Sequence, residues 1–154
     1  MHTFKNYIII PELKLMVIYF EGKVLLSDII KNNQLLMEDP LYNAEFNLYI
    51  DFSDCMTIVF GSDFSEYIKF IKATVLLKKP IKAAFIISTP NHQLLFTIWM
   101  PISSFMNIDS AVFKERNLAL SFMNFNEQEM LYFEEKFKEF KNQVHGYTVS
   151  KSVL

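Results

Sequence analysis

The sequence predicts an α/β fold: a mixed β-sheet with an antiparallel N-terminal hairpin, helices mainly on one face, and an extra C-terminal helix. Three observations carry this reading. Two β-branched and aromatic runs are split by Pro11-Glu12; short apolar runs then alternate with amphipathic stretches; and a long one-faced pattern closes the chain.

The elements follow in order. Tyr7-Ile-Ile-Ile10 and Leu13 to Phe20 form the hairpin, closed by Glu21-Gly22. Ser27 stands where a helix N-cap belongs, with Asp28 in the first turn and an apolar stripe of Leu26, Ile29, Ile30, Leu36 and Met37. Pro40 biases Asp39 away from the helical region and ends that helix. Leu48 to Phe52 reads as a strand buried on both faces, because its apolar run does not alternate. Phe64, Tyr67, Ile68, Ile71 and Val75 mark the next helix, with Asp63 and Glu66 at capping-box spacing and Ser62 as a rival cap. Lys78-Lys-Pro80 stops it, and Ala83 to Ser88 is another strand. Thr89-Pro90 starts a helix through about Met100, which Pro101 kinks or ends. Phe105 to Ile108 is expected as a short last strand, with Asp109-Ser110 opening a helix that carries Val112, Phe113, Leu118 to Leu120 and Phe122. The added helix, about 126–144, begins near Asn126, has Glu129 at capping-box spacing, and places Met130, Phe133, Phe137, Phe140 and Val144 on one face. Glu134 and Lys138 form a solvated pair opposite. Gly146 is expected to stop this helix, which gives one domain over 1–146 and a disordered tail over 147–154.

Length admits one sizeable core, and sixteen phenylalanines with eight methionines make it aromatic-rich and leave apolar surface for a partner. A net charge of −2 with interspersed Lys and Glu argues against nucleic acid. A single cysteine, Cys55, excludes an intrachain disulfide or multi-thiolate zinc site and suits a reducing cytoplasm. The N-terminus carries no secretory signal pattern, and no apolar run reaches membrane-span length; the longest, Leu94 to Phe105, is cut by Thr97, Pro101, Ser103 and Ser104. Glycines at 22, 61 and 146 cannot build a phosphate loop, and His2, His92 and His145 lack ligand spacing, so neither a cofactor nor a metal is expected.

The element order, together with Asp39-Pro-Leu-Tyr42, Asn47, the Asp51-Phe-Ser-Asp-Cys55 run and Ala111 to Met123 as a last helix, resembles the SpoIIAA-like (STAS/SEC14-type) proteins of bacteria over roughly Lys14 to Met123. The resemblance implies an α/β module that binds partners, nucleotides or lipids without turnover. One motif departs from that pattern. Where anti-anti-sigma members carry an Asp-Ser-Ser-Gly phosphoacceptor, this chain reads Phe60-Gly61-Ser62-Asp63, so Ser62 is better read as a cap than as a phosphorylation site.

Four groups of side chains invite a functional reading. Asp51, Ser53 and Asp54 form a polar cluster at a strand's carboxyl edge, open either to a ligand or partner or to local loop capping, the commoner use of these residue types. Trp99 and Phe105, with Phe96, Met100 and Met106, surround Pro101, where a broken helix opens a groove for an acyl chain or a partner helix. Leu94 to Met100 is apolar nearly all around, so the terminal helix, a second copy or another ligand must cover the remainder. Cys55 and His92, with Asp109 as orienter, make the sharpest enzymatic reading, but no oxyanion loop or cysteine signature accompanies them. The sequence therefore favours a non-catalytic regulatory module docking to another protein or to itself as a dimer. A small binding protein for a lipid or other hydrophobic ligand comes second, and a cysteine-dependent enzyme third.

Overall fold

The computed structural model describes residues 4–58, 65–70 and 81–153. Among the described residues, five strands lie side by side in chain order: β1 (Tyr7–Ile10), β2 (Leu15–Leu25), β3 (Asn47–Ile58), β4 (Ile81–Ile86) and β5 (Ile108–Phe113). Only β1 runs antiparallel to its neighbour; β2 to β5 are mutually parallel. The helices are α1 (Leu26–Glu38), a helical stretch over 65–70 taken as α2, α3 (Pro90–Phe105), α4 (Arg116–Phe122) and α5 (Glu127–Val153). The predicted α/β class and mixed sheet with an antiparallel start are present. The sheet is covered on both faces: α1, α2 and α3 pack with Met16, Ile18, Ile50 and Phe85 on one, while α4 and α5 pack with Leu15, Val17, Tyr19 and Tyr49 on the other.

Strand β3 is central, and Tyr49, Ile50, Asp51 and Phe52 are all buried, in keeping with the expected strand buried on both faces. It runs six residues beyond Phe52 to Ile58, paired with β2. Gly22, on β2 opposite Cys55, sits at φ +76°, a backbone conformation side chains disfavour.

Several boundaries differ from expectation for local reasons. The N-cap of α1 is Leu25, whose N–H is accepted by the Asp28 carboxylate at 2.9 Å, so Ser27 lies inside the helix. The end of α1 is as expected, with Asp39 extended at ψ 134° before Pro40. Helix α3 continues through Pro101 to Phe105. The proline faces solvent and the carbonyl it deprives of an N–H belongs to exposed Thr97, where water can satisfy it. Asn107, at φ 60°, then turns the chain, so Asp109 to Phe113 extend as β5 instead of opening a helix, and α4 starts only at Arg116. Asn126 and Glu129 make the reciprocal capping box: each backbone N–H donates to the other's side chain, at 3.0 and 2.9 Å.

Gly146 does not stop α5, and residues 147–153 are helical. Tyr147 stacks on Phe4 with ring centroids 4.1 Å apart, and Thr148 lies against Gly22. These contacts offset the roughly 1 kcal/mol that a helical glycine costs. Glu134 pairs with Arg116 at 3.0 Å, across to the start of α4, in place of the expected bond to Lys138.

The α5 face is an aromatic stack. Phe133 and Phe137 are fully buried and meet Tyr49 at 4.9 and 5.5 Å, and Phe137 meets Tyr19 edge-on at 5.7 Å. Phe137→Ala should cost about 3–5 kcal/mol, read as a lowered urea midpoint; a loss under about 1 kcal/mol would mean that α5 is not clamped as described.

Candidate functional site

The predicted polar cluster is built by an irregularity in β3. Tyr19 pairs with Asp51 and Glu21 with Asp54, so β2 spends one residue, Phe20, where β3 spends two, Phe52 and Ser53. This bulge turns Asp51 and Asp54 to the same face although they are three residues apart; in an unbroken strand they would point oppositely.

Asp51 and Ser53 are brought together and satisfied locally. Buried Asp51 accepts from the Ser53 N–H at 2.8 Å, from the Ser53 hydroxyl, and from the Tyr49 hydroxyl at 3.3 Å. This is side-chain capping of a bulge, the second of the two readings open in the sequence. Asp54 accepts from the Tyr19 hydroxyl at 2.8 Å and from Lys141 of α5 at 3.1 Å, while His145 reaches Glu21 at 3.1 Å. The acidic tip of β3 therefore holds α5. Burial raises the Asp54 carboxyl, but the Tyr19 hydroxyl and the Lys141 ammonium outweigh it and hold the group below its usual range near 3.8. Burial first, then the Asp54 carboxylate, raises Tyr19.

On the opposite face the bulge brings Cys55 beneath the start of α3. Thr89 caps α3, its hydroxyl accepting from the His92 N–H at 3.3 Å, and this seats His92 over Phe52 with ring centroids 5.7 Å apart. Cys55 Sγ lies 3.9 Å from His92 Nε2, and both residues are buried, at 6% and 1% exposure. Two features oppose nucleophile activation. The Ser88 N–H donates to His92 Nδ1 at 3.3 Å, which places the proton of a neutral ring on Nε2, facing the sulfur, so Nε2 has no lone pair to take the thiol proton. The thiol instead approaches the Phe52 carbonyl at 3.5 Å. Burial, then the charges of Asp51 and Asp54, pushes Cys55 up to about 12, and burial lowers His92. Asp109 cannot orient the ring. It pairs with Lys82 at the beginning of β4, the other end of the sheet from His92, and is exposed.

The remaining predicted residues separate. Trp99 is buried against the sheet and donates its indole N–H to Ser110 at 2.9 Å. Phe105 is 91% exposed at the end of α3, so the two do not share a groove. Ser62 lies outside the described residues. The surplus apolar side expected of this helix is its outward one, where Leu94, Ile98, Pro101 and Phe105 recur at i, i+4, i+7 and i+11 and are exposed or partly exposed. The spacing was legible; which side the sheet would take was not. Among the described residues no three His, Cys, Asp or Glu side chains gather in a metal-binding arrangement, and no helix is long and apolar enough to cross a membrane.

Two outcomes follow from this geometry. Cys55 should resist iodoacetamide in the folded protein near neutral pH and react once urea unfolds it; rapid alkylation of the native state would require an activated thiolate. A carboxyl depressed by folding stabilises the native state above the ordinary carboxylate range, and that contribution disappears as pH falls through its folded value. Asp54→Asn should therefore lower the urea midpoint at pH 7 and leave it nearly unchanged at the acid end, whereas equal losses at both pH values would show that the charge is irrelevant. No protein-family model matches the chain, and neither a curated protein nor a solved structure was found similar to it.

Proposed function

We propose that this domain is a non-catalytic interaction module of the regulatory kind, docking through the outward face of α3, and that its first partner is a second copy of itself. The observation that carries the reading is the composition of that face. None of the sixteen residues from Pro90 to Phe105 is Asp, Glu, Lys or Arg, and Leu94 (53% exposed) and Phe105 (91%) stand in solvent with Ile98 and Pro101 between them.

The spacing is that of a helix seam, suited to another helix laid along it. A two-fold contact pairs residue i of one copy with residue j of the other and j with i, so a self-docking face must be complementary to itself. An uncharged apolar seam meets that condition, since no pairing of its residues opposes like charges. The terminal helix does not cover it, because α5 lies across the sheet. The resemblance of Lys14 to Met123 to SpoIIAA-like proteins, and a sheet with an antiparallel first strand followed by parallel strands in chain order, support a docking role over turnover. The capped acidic cluster and the unactivated Cys55 support it further.

Light scattering across a wide concentration range should give a mass approaching twice that of the chain. Phe105→Glu should weaken association roughly thirtyfold, the ~2 kcal/mol typical of an interface hot spot, without altering the circular dichroism spectrum. A strictly monomeric wild-type protein at high concentration would overturn the reading.

A further inference from the structure

The inward face of α3 encloses a feature that the docking face does not explain. Between the sheet and the helices lies a cavity of about 120 Å³. Its floor is the sheet, through Met16, Ile18, Leu48, Ile50 and Phe85; α1 and α3 wall it, and Tyr67 and Phe70 of α2 also line it. Protein interiors pack to crystal-like density, and voids larger than a water molecule are few.

We propose that this cavity is a binding site for a neutral, compact, apolar molecule about the bulk of one aromatic ring. Three observations define that class. The volume is close to that of a cavity of about 150 Å³ known to admit benzene. A long acyl chain has too many carbons to fit, so the site differs from the lipid pocket that the sequence suggests. The described lining holds no Asp, Glu, Lys or Arg, so a carboxylate or phosphate headgroup would enter unpaired. Nor does the lining create a demand for water at its one imidazole, because His92 meets Ser88 at Nδ1 and Cys55 at Nε2. Apolar cavities of this kind stay dry and take apolar guests. A way in lies where the lining is only partly buried, at Asn33 and Met37 of α1 and Tyr42 and Ala44 in the following loop.

Trp99, the chain's single tryptophan, lines the cavity and reports on it directly. Titration with benzene should change Trp99 emission saturably and raise the melting temperature, and benzoate, of the same size but charged, should bind at least tenfold more weakly. Leu36→Phe, which adds bulk to the lining, should abolish the benzene response; if that variant does not fold, Ala44→Leu at the partly buried rim should weaken it. Phe105→Glu, outside the cavity, should respond as wild type, so this inference stands or falls separately from the docking seam. No saturable response to benzene, equal binding of benzoate, or full benzene binding by a folded Leu36→Phe protein would each overturn it.

Discussion

A parallel sheet whose strands lie in chain order carries all its right-handed crossovers on one side, because each repeats the same turn in the same direction. Here β2 to β5 are in that order, so α1, α2 and α3 fall on one face and leave the other without cover. Yet Leu15, Val17, Tyr19 and Tyr49 project from that second face and are almost completely buried. Something beyond the last crossover has to close it. The chain does so with α4 and α5, whose Phe133, Phe137 and Phe140 meet the tyrosines of β2 and β3 edge-on. The C-terminal helix is thus a consequence of handedness, and the aromatic residues of the core are divided between the two faces of the sheet.

The same constraint explains why the polar groups of β3 are structural. A strand buried on both faces cannot carry a carboxylate inward without partners, since an unpaired buried charge costs far more than the fold's margin of stability. Asp51 is met within its own bulge, and Asp54 is turned toward Tyr19 and Lys141. One extra residue therefore does two things: it caps Asp51 and it gives α5 an anchor at the acidic end of the sheet. On the reverse side it sets Cys55 under His92 in a buried pair whose proton lies on the nitrogen facing the sulfur, an arrangement that packs α3 onto β3.

What the sequence made legible was local or strongly periodic. Asp39-Pro40 ended a helix, Asn126 and Glu129 capped one, and the mainly apolar stretch from Leu48 to Phe52 announced burial on both faces. The errors came where tertiary contacts or a single left-handed residue outweighed a local signal. Asp109-Ser110 has the composition of a helix start, but Asn107 had already reversed the chain and β4 offered an edge for Asp109 to Phe113 to join. Pro101 survives inside α3 because it faces water. Gly146 survives inside α5 because Tyr147 and Thr148, the two residues that follow it, find partners. The bulge at Phe52 and Ser53 left no trace in composition, which is why Asp51, Ser53 and Asp54 could be read either as a ligand cluster or as capping groups.

Helix α3 is where the remaining information concentrates, for it is apolar on both sides. One side must be so, because Leu95, Phe96 and Trp99 complete the core over Phe85. The other has no such obligation, and a solvated helix ordinarily places charge there. Even a few exposed Lys or Glu residues would have cost nothing in packing, since Leu94, Ile98 and Phe105 contribute little to the interior. Their apolar character, continued over three turns at seam spacing, is therefore not explained by folding of the single chain. The inner side shows the complementary imbalance: with His92 held between Ser88 and Cys55 near the start of α3 and Trp99 pinned to Ser110 two turns on, the helix is fixed at two points and cannot settle closer to the sheet to fill the space beneath it.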